Sequence, residues 1–455
     1  MRKHHLAAKA DFTSCCLPVL LLAFFISLPV FAAPRLSEAD SRMLDHIQQR
    51  TLAYFWDFGH PVSGLAPERN TTPDTVTTGG TGFGLMAMLV GVERGWLSRN
   101  QVLNRCLKIV SFLERADRFH GAWPHWLDGH TGRTIPFSPF DDGGDIVETS
   151  FLVQGLLTVR AYYDGAGTAE ALLRRKIDRL WHDIEWDWYT RGEQRLYWHW
   201  SSRHGWKMNL PIRGYNECLI TYVLAASSPT HPISARAYHE GWATGPTFLN
   251  GTASCGGITL PLGPELGGPL FISQYSFLGL DPRGLKDRYA DYWEQNVRHA
   301  MINYLHCQEN PHGYPSYSPN CWGLTSCDNP WGYDAHSPTN DLGVIAPTAA
   351  LSSMPYTPAQ SLRAARYFHD VLGDGLFGRD GFKDAFCPHL GWIASSTLAI
   401  DQGPIVIMLE NFRSGLLWRL FMSVPEVRNG LAKLDFTFPG LPRTTRPPTP
   451  MGGTP

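Results

Sequence analysis

The stretch Asp141-Asp142-Gly143-Gly144-Asp145-Ile146-Val147-Glu148-Thr149-Ser150 runs directly into the apolar segment 151–159, and this junction decides the fold. It places four carboxylates within eight positions at the start of what the apolar run predicts to be a buried helix. Crowded carboxylates repel each other and resist removal from water. A solvated loop would carry them easily, but it would not continue into Phe-Leu-Val-Gln-Gly-Leu-Leu. We therefore interpret the stretch as one wall of a polar, functional cleft.

The same pairing of an apolar helix with a more charged one recurs along the chain. Apolar segments begin near Gly82, Asp145, Asn216, Ile272, Ile345 and Gln402. Charged partners follow at 99–118, 169–186, 232–241, 285–306, 357–371 and 425–431, and an amphipathic helix at 37–57 precedes them all. A helix that is apolar on every side is buried. Six such pairs predict an all-α (α/α)6 barrel, with six inner and six outer helices.

The connections between these helices are long and rich in glycine and aromatic residues, notably 242–271 and 309–344. Long loops in a compact domain usually carry function, so we expect aromatic loops at the active-site rim. A linear α-solenoid is the alternative, but it would need shorter connections and a more regular repeat. The pattern predicts one catalytic domain over 34–441 and a disordered tail, rich in proline, threonine and glycine, over 442–455.

Residues 1–33 have the pattern of a secretory signal peptide. Basic residues precede an apolar segment at 17–31, and the small residues Ala32 and Ala33 follow it. The apolar segment is too short to favour a membrane span. We expect cleavage near Ala33, no stable membrane insertion afterwards, and a periplasmic or secreted mature protein. An uncleaved anchor is the alternative.

Charge and cysteine content limit the partners and cofactors of the chain. The net charge of -2, without a basic stripe or block, predicts no nucleic-acid partner. Cys307, Cys321 and Cys327 lie close together in one loop and could supply one disulfide in an oxidising compartment. The Cys and His spacing does not fit a structural zinc site. We expect a monomer with no cofactor and no metal, although the aspartates of the opening stretch could alternatively hold calcium.

Carboxylates stand at the N-terminal mouths of three of the apolar helices. They are Asp145 with Glu148, Glu217 in Gly214-Tyr215-Asn216-Glu217-Cys218, and Asp401 in Ile400-Asp401-Gln402-Gly403-Pro404. If the inner helices are parallel, these ends converge at one rim. Convergent carboxylates in an aromatic-lined cleft are typical of glycoside hydrolases. In such enzymes one acid protonates the leaving oxygen, and a second carboxylate activates water or attacks the anomeric carbon.

Each of these acids also has an explanation that involves no chemistry. Asp145 and Glu148 have the spacing of a capping box. Glu217 fits a first-turn acid favoured by the helix dipole, and Asp401 could cap a helix that has Pro404 in its first turn. Together the acids favour a catalytic site, because the same placement recurs on separate helices.

The flanking residues indicate how the catalytic roles divide. A general acid must stay protonated near neutrality, which requires an apolar setting or a second carboxylate close by. Glu217 has the more apolar flanks, with Tyr215 before it and 218–220 after it, so we assign it as the acid. A helix N-terminus stabilises a carboxylate and therefore suits a base, and we assign that role to Asp401.

Six blocks of sequence carry a further signal. They are TGGTGFGLMAMLVGVERGW (78–96), FDDGGDIVETSFLVQGLL (140–157), GYNECLITYVLAASSP (214–229), GPLFISQYSFLGLDPRG (268–284), WGLTSCDNPWGY (322–333) and IDQGPIVIMLENFRSGLLW (400–418). These blocks resemble the glycoamylase-like family of bacterial exported proteins, which includes glycoside hydrolase family 144, the endo-β-1,2-glucanases. They span nearly all of the chain after the signal, which makes the resemblance specific.

The resemblance implies an (α/α)6 barrel and inverting hydrolysis of β-1,2-glucan to sophorose and short sophoro-oligosaccharides. It also implies that Asp145, Glu148 and Glu217 match family acids needed for activity, and that Asp401 matches a candidate base. In related enzymes a substrate hydroxyl or a water chain carries part of the proton transfer. The same superfamily contains the glycoamylase-like region of cyclic β-1,2-glucan synthases, which is linked to transglycosylation.

We expect sugar contacts from loop residues that offer aromatic faces or hydrogen-bonding groups: Asp142, Trp123, His125, Trp126, Tyr197, Trp198, Tyr215, Asn216, Trp331 and Tyr333. Aromatic faces stack on the C–H faces of sugars, although large proteins also bury such residues for packing alone. Two other functions stay open. One is a hydrolase or transglycosylase acting on another glucan, as a glucoamylase does. The other is a non-catalytic periplasmic glucan-binding protein, which the presence of Glu217 and Asp401 argues against.

Overall fold

The computed structural model describes residues 36–251 and 253–440, and this part of the chain is mostly helical. The described residues belong to one compact unit that begins at Leu36. The signal peptide predicted over 1–33 and the tail predicted over 442–455 lie outside the described residues. Among the described helices, none is long and apolar enough to cross a membrane.

The helices of the described chain vary widely in length. In order they are α1 (Glu38–Trp56), α2 (Thr78–Glu93), α3 (Arg99–Leu113), α4 (Ile146–Tyr162), α5 (Thr168–His182), α6 (Leu219–Ser227), α7 (Tyr292–Glu309), α8 (Pro347–Leu351), α9 (Pro358–Arg366), α10 (Gly373–Leu376), α11 (Ala399–Arg413), α12 (Leu416–Met422) and α13 (Pro425–Lys433). Single π-helical turns lie at Ala237–Trp242 and Tyr367–Val371.

Short antiparallel strands lie in the connections. The strands β1 (Thr75–Thr77), β2 (Trp126–Asp128) and β3 (Thr134–Ile135) form a three-stranded sheet in that order. The remaining strands pair as β4 (Gly144–Asp145) with β5 (His199–Trp200), β6 (Ser254–Cys255) with β7 (Ile258–Thr259), β8 (Ser326–Asn329) with β9 (Gly332–Ala335), β10 (Phe377–Gly378) with β11 (Gly381–Phe382), and β12 (Phe386–Cys387) with β13 (Trp392–Ile393). These pairs fix the loops around the helix mouths.

The apolar helices are buried on nearly every side, as their sequence pattern predicts. Helix α2 packs against α4 and α11, α4 also packs against α6, and α11 also packs against α8. Between α6 and α8 the chain forms 3-10 turns at Leu270–Ser273 and Ser276–Leu278, and the second turn contacts α6. The Gln274 amide donates to the carbonyl oxygen of Ala349 in α8 at 3.1 Å. The apolar elements therefore follow one another in a closed series of contacts.

The charged helices cover this series from outside. Helix α1 packs on α11 and α2, α3 packs on α2 and α5, α5 packs on α4, and α13 packs on α6. Each of these helices buries its apolar face and exposes its polar face. Helix α3 begins with a capping box formed by Ser98 and Gln101.

Helices α2 and α4 touch through backbone atoms. A Cβ on Gly155 would lie 2.2 Å from the carbonyl oxygen of Gly82, and a Cβ on Gly82 would lie 2.1 Å from the carbonyl oxygen of Phe151. Only glycine permits an approach this close. The two glycines thus allow α2 and α4 to pack in direct backbone contact.

The apolar segment predicted to be helical from Ile272 is instead the pair of 3-10 turns. Its polar side chains bond away from the local backbone: Ser276 Oγ donates to the carbonyl oxygen of Glu217 at 2.5 Å, and Ser273 Oγ bonds His299 Nδ1 at 2.7 Å. The segment predicted at 232–241 likewise forms only the π-helical turn that ends at Trp242.

Candidate active site

Asp145 is the N-cap of α4 and is fully buried. Its Oδ1 accepts the backbone N–H groups of Val147 and Glu148, both at 2.9 Å. Its Oδ2 faces His125 Nδ1 at 3.1 Å and accepts the indole N–H of Trp198 at 3.2 Å. Both carboxylate oxygens are therefore occupied, and this geometry suits a residue that positions its neighbours.

Glu148 lies one turn further along α4 and is also buried. Its Oε2 accepts the backbone N–H of Gly79 in α2 at 2.7 Å, and its Oε1 lies 4.0 Å from His125 Nε2. Burial raises the pKa of Glu148 above its ordinary value, against the lowering effect of His125. For His125, burial acts to lower the pKa, but the charges of Glu148 and Asp145 outweigh it and raise this pKa to about 9. His125 is therefore an imidazolium at neutral pH.

Asp141 and Asp142 hold the loop that follows β5. Asp142 Oδ1 accepts the Ser201 hydroxyl at 2.5 Å, and Asp141 Oδ1 lies 3.3 Å from His199 Nε2. Burial, with the charge of Asp145 added, raises the pKa of Asp141 to about 7. Asp142 thus acts as an anchor for this loop.

Glu217 lies two residues before α6. Among the described residues its carboxyl group has no side-chain hydrogen-bond partner, unlike those of Asp145 and Glu148. Burial raises the pKa of Glu217 to about 7, and the charges of Asp145 and Glu148 add to this effect. Asn216 shapes the turn before it, since its Oδ1 accepts the backbone N–H of Cys218 at 3.1 Å and the indole N–H of Trp242 at 3.2 Å. A carboxyl group with a pKa raised in this way can serve as a general acid.

Asp401 lies in the first turn of α11 and is 2% exposed. A second buried acid acts on it: Asp384, which is 1% exposed and comes from the loop between β11 and β12. Burial and the neighbouring carboxylate raise the pKa of Asp401 well above its ordinary range, and burial raises that of Asp384 to about 7. Sequence reasoning missed Asp384, because a single acid in the loop Lys383-Asp384-Ala385 carries no motif.

Tyr275 lies near acids that come from three different helices. It follows the 3-10 turn at Leu270–Ser273, and its ring packs on Phe83, Phe151 and Phe271 with centroid distances of 5.3, 5.6 and 5.2 Å. Burial raises the pKa of its hydroxyl, and the negative charges of Asp401, Glu148 and Glu217 add to this. These three acids, which come from three helix mouths, therefore lie near one phenol. We call Asp145, Glu148, Glu217, Asp384 and Asp401, with Tyr275 among them, the acid cluster.

Three of the predicted aromatic residues lie beside the acid cluster or beside His125, and a fourth, Trp331, is exposed on a hairpin turn. Trp198 bonds Asp145, and Trp126 lies at the edge of His125 with a centroid distance of 5.6 Å. Trp331, 69% exposed, stands at the turn of the β8–β9 hairpin, and Tyr333 follows it on β9. Tyr333 lines an open pocket of about 680 Å³, whose lining also includes Arg69, Asp328, Trp392 and Ser395.

Three other predicted contacts are packed elsewhere. Trp123 is fully buried, and its indole N–H donates to the carbonyl oxygen of Leu113 at 3.2 Å. Tyr197 precedes Trp198 on an extended segment, so its side chain points to the opposite side, where its hydroxyl donates to Glu193 at 3.0 Å. Tyr215 is 2% exposed, and its ring lies 5.9 Å from that of Trp242. The positions of these residues indicate packing roles.

Two groups of described residues bring three potential metal ligands within 4.8 Å of one another: His125 with Asp141 and Asp145, and His60 with Asp74 and His130. In the first group, His125 Nδ1 hydrogen-bonds Asp145 Oδ2 at 3.1 Å. His60 Nδ1 accepts the backbone N–H groups of Val62 and Ser63 at 3.3 and 3.2 Å, so its proton sits on Nε2, the nitrogen that faces Asp74. Hydrogen bonding therefore explains both groups. All seven cysteines of the described chain, Cys307, Cys321 and Cys327 included, are free.

Comparison with known proteins places this site in a family. The model of the glycoamylase family, described as "Putative glucoamylase", matches residues 209–425. An endo-β-1,2-glucanase from Chitinophaga pinensis, solved with sophorotriose and glucose, is 54% identical; the match covers 90% of this chain and 100% of that one with a TM-score of 0.86. A β-1,2-glucanase from Parabacteroides distasonis is 42% identical with a TM-score of 0.85, over 88% of this chain and 60% of that one.

A curated relative is the exo β-1,2-glucooligosaccharide sophorohydrolase (non-reducing end) of Parabacteroides distasonis, 43% identical over 422 residues. The match covers 87% of this chain and 58% of the relative, so this chain spans little more than half of that protein's length. The chain belongs to the glycoamylase family.

Proposed function

We propose that the protein is a glycoside hydrolase that cleaves β-1,2-glucan to sophorose and short sophoro-oligosaccharides by an inverting acid/base mechanism. The observation that carries this proposal is the acid cluster, in which Glu217, Glu148 and Asp401 from three helix mouths lie near Tyr275. Family members of 42–54% identity are described as hydrolases of β-1,2-glucans, which supports the substrate.

We further propose that the helices form an (α/α)6 barrel with the acid cluster at one rim. The closed series of contacts from α2 through α4, α6 and α8 to α11 supports this architecture, and the outer helices lie where such a barrel needs them. In this chain the fourth inner position is taken by the 3-10 turns at Leu270–Ser273 and Ser276–Leu278. These turns place Tyr275 among the acids.

Glu217 is the general acid of the proposed mechanism. Its pKa of about 7 keeps a proton available near neutrality, and its carboxyl group is free to face a glycosidic oxygen. Proton donation to the leaving oxygen avoids the expulsion of an alkoxide and contributes typically 10²- to 10⁴-fold to the rate.

Asp401 is the general base, and in an inverting enzyme it takes a proton from the attacking water. It does so directly or through a substrate hydroxyl. We place Asp145 and Glu148 on the side of the site opposite Asp401. There the His125 imidazolium offers a positive hydrogen-bond donor to sugar hydroxyls. We assign sugar contacts to His125, Trp126, Trp198, Trp331 and Tyr333.

We also propose that the protein is exported, acts in the periplasm or outside the cell, and works as a monomer. The sequence pattern of residues 1–33 supports export.

An α-glucan is the second candidate substrate, because the family description names a glucoamylase. Digestion of linear β-1,2-glucan and of soluble starch in parallel separates the two candidates, with products read by chromatography. We expect sophorose and short sophoro-oligosaccharides from the first substrate only. The Glu217→Gln variant, purified in the same way, shows whether a contaminating hydrolase makes the products. Products from starch alone, or from neither glucan, would overturn the proposal.

The stereochemistry is tested separately. Proton NMR of the first minutes of digestion reports the anomer released, and inversion at a β-linkage yields the α-anomer first. Initial release of the β-anomer would contradict the inverting mechanism and leave the substrate assignment intact.

A further inference from the structure

A second pocket of the structure shares no lining residue with the acid cluster. It has a volume of about 570 Å³, is open to solvent, and lies between the 3-10 turn at Trp188–Thr190 and the loop that follows β5. Its lining includes Glu185, Asp187, Trp188, Arg191, Trp206 and His231. None of these residues takes part in the mechanism proposed above. We call this the Trp188 pocket.

Two tryptophans form the apolar part of the Trp188 pocket. The imidazole of His120 covers one face of Trp188, with ring centroids 3.7 Å apart and planes 13° from parallel. Trp188 is nevertheless 40% exposed. The ring of Trp206 lies 30° from parallel to that of Trp188, with centroids 6.4 Å apart. A tryptophan that is fixed by a stacked neighbour and still exposed offers a rigid apolar surface to a ligand.

Two partly exposed carboxylates stand beside these rings. Asp187 Oδ1 accepts the backbone N–H of Trp188 at 3.0 Å and lies 3.2 Å from His231 Nδ1. Glu185 Oε2 lies 2.8 Å from Nδ1 of His120, the residue that covers Trp188. In each carboxylate the second oxygen forms no hydrogen bond within the described chain. One oxygen of each acid therefore fixes the pocket, and the other can accept a hydrogen bond from a ligand.

Arg191 supplies hydrogen-bond donors on the same pocket. Its Nη1 donates to Asn209 Oδ1 at 2.7 Å, and its guanidinium carbon lies 5.3 Å from the ring centroid of Trp206. Arg191 has a φ of 57° and His120 has a φ of 50°. Residues with a side chain seldom adopt this left-handed conformation, and such strain is concentrated at binding sites. Both strained residues contact a tryptophan of the pocket.

The Trp188 pocket adjoins the strand that carries Asp145. In the pairing of β4 with β5, Trp200 lies opposite Gly144, and its ring centroid is 5.9 Å from that of Trp188. Tyr189, the residue after Trp188, is buried against the same strand, because a Cβ on Gly144 would collide with its hydroxyl group. The pocket is thus close to the acid cluster in the fold but separate from it in its residues.

We propose that the Trp188 pocket is a second glucan-binding site, which holds a stretch of β-1,2-glucan chain outside the acid cluster. This inference rests on the hydrolase proposed above, which supplies the identity of the ligand. A glucan is uncharged, and its C–H faces suit the two tryptophans. Its hydroxyl groups suit the free oxygens of Glu185 and Asp187 and the N–H groups of Arg191. The mixed charges of these three residues do not favour a strongly charged ligand of either sign.

A long glucan chain can occupy both sites, which makes binding at the second site intramolecular and strengthens the total binding. Trp188→Ala should therefore raise KM for long β-1,2-glucan about three- to tenfold and leave kcat nearly unchanged. KM for the shortest sophoro-oligosaccharide that the wild type cleaves should not change, because that substrate fills the acid cluster alone. A KM that rises equally for both substrates, or for neither, would overturn the second site.

Three further variants make this comparison specific. Trp188→Tyr keeps an aromatic face and should recover most of the lost affinity. Arg191→Ala removes a donor and leaves both tryptophans in place, so it should raise KM for the long glucan by a smaller factor. Leu172→Ala is the matched control, since Leu172 is 39% exposed on α5 and lies outside the pocket. Its KM should equal that of the wild type on both substrates, and thermal melts show that each variant is folded.

A binding measurement separates the second site from the hydrolase activity. Each substitution is added to Glu217→Gln, and the proteins run in native gels that contain β-1,2-glucan, soluble starch or no glucan. We expect β-1,2-glucan to retard the Glu217→Gln protein, and Trp188→Ala but not Leu172→Ala to reduce this retardation. If the wild type cleaves no glucan, the hydrolase proposal fails, and retardation by either glucan that depends on Trp188 still supports a carbohydrate site. Retardation that Trp188→Ala leaves unchanged, or no retardation in either glucan, would overturn it.

Discussion

The backbone N–H of Gly79 donates a hydrogen bond to Oε2 of Glu148 at 2.7 Å, and a Cβ on residue 79 would lie 2.6 Å from the same oxygen. Helix α2 therefore reaches this acid only because residue 79 is glycine. The contact joins the mouths of two apolar helices and fixes Glu148 beside His125, so we expect it to matter for both packing and catalysis.

The substitution Gly79→Ala tests this contact. Helix propensity alone would make alanine stabilising by roughly 0.5–1 kcal/mol. We expect instead a loss of about 1–3 kcal/mol, because the methyl group overpacks the site, and at least a tenfold fall in kcat as Glu148 is displaced. Urea unfolding and glucan hydrolysis measure the two effects. Gly251→Ala is the control, since a Cβ there meets nothing within 4 Å. Wild-type stability and kcat in Gly79→Ala would contradict the role of the contact.

Asp145 combines a helix cap with two side-chain bonds, and two variants separate these roles. Asp145→Asn keeps an oxygen for the N–H groups of Val147 and Glu148, so stability should change little. It removes the charge that helps raise the pKa of His125, so NMR titration should show that pKa falling and kcat should drop about 100-fold.

Asp145→Ala should in addition lose about 1 kcal/mol or more through the missing cap. Chemical denaturation of both variants beside the wild type measures this difference. An unchanged His125 pKa in Asp145→Asn would show that Asp145 does not hold the imidazolium.

The pKa of Glu217 predicts a pH dependence with a definite sign. Burial raises this pKa to about 7, and the acid is active while protonated, so kcat/KM should fall as pH rises through about 7. The same raised pKa makes the protonated form stabilising at low pH, and this stabilisation is lost as pH rises towards 7. The melting temperature of Glu217→Gln should therefore gain on that of the wild type between about pH 5 and about pH 8. A constant difference across this range would contradict the raised pKa.

The tryptophans assigned to packing and to sugar contact should respond in opposite ways. Trp331 is 69% exposed, so Trp331→Ala should leave stability nearly unchanged and raise KM about three- to tenfold through the lost stacking. Trp123 is fully buried, so Trp123→Ala should lower the free energy of unfolding by about 3–5 kcal/mol. Thermal melts and KM values for β-1,2-glucan measure these effects. A KM that rises in Trp123→Ala but not in Trp331→Ala would contradict the assignment of Trp331 to sugar contact and of Trp123 to packing.

The long apolar helices could be predicted from sequence, because burial on every side leaves an unmistakable pattern. The segments near Gly82, Asp145 and Gln402 lie in α2, α4 and α11, as their hydrophobicity predicts. The segment from Ile272 is also predicted to be helical, but it forms 3-10 turns, in which Ser273 and Ser276 bond to distant partners. Such bonds exist only in the folded chain.

The residues of the candidate site also divide into those that the sequence predicts and those that it does not. Asp145, Glu148, Glu217 and Asp401 stand at helix mouths, and their recurrence is visible in the sequence. Asp384 has no motif, and Tyr275 reads as one more core aromatic in an apolar run. Their places in the acid cluster depend on how loops return to the helix mouths, which local sequence does not record.

The assignment of Glu217 as the proton donor is the central claim, and a comparison of leaving groups tests it most directly. The Glu217→Gln variant cannot protonate a glycosidic oxygen, so its kcat on β-1,2-glucan should fall about 10³-fold or more. A 2,4-dinitrophenyl β-sophoroside needs no proton on its leaving group, so the variant should cleave it at a rate close to that of the wild type. Equal loss on both substrates would contradict the assignment and return Glu217 to the structural residues of the site.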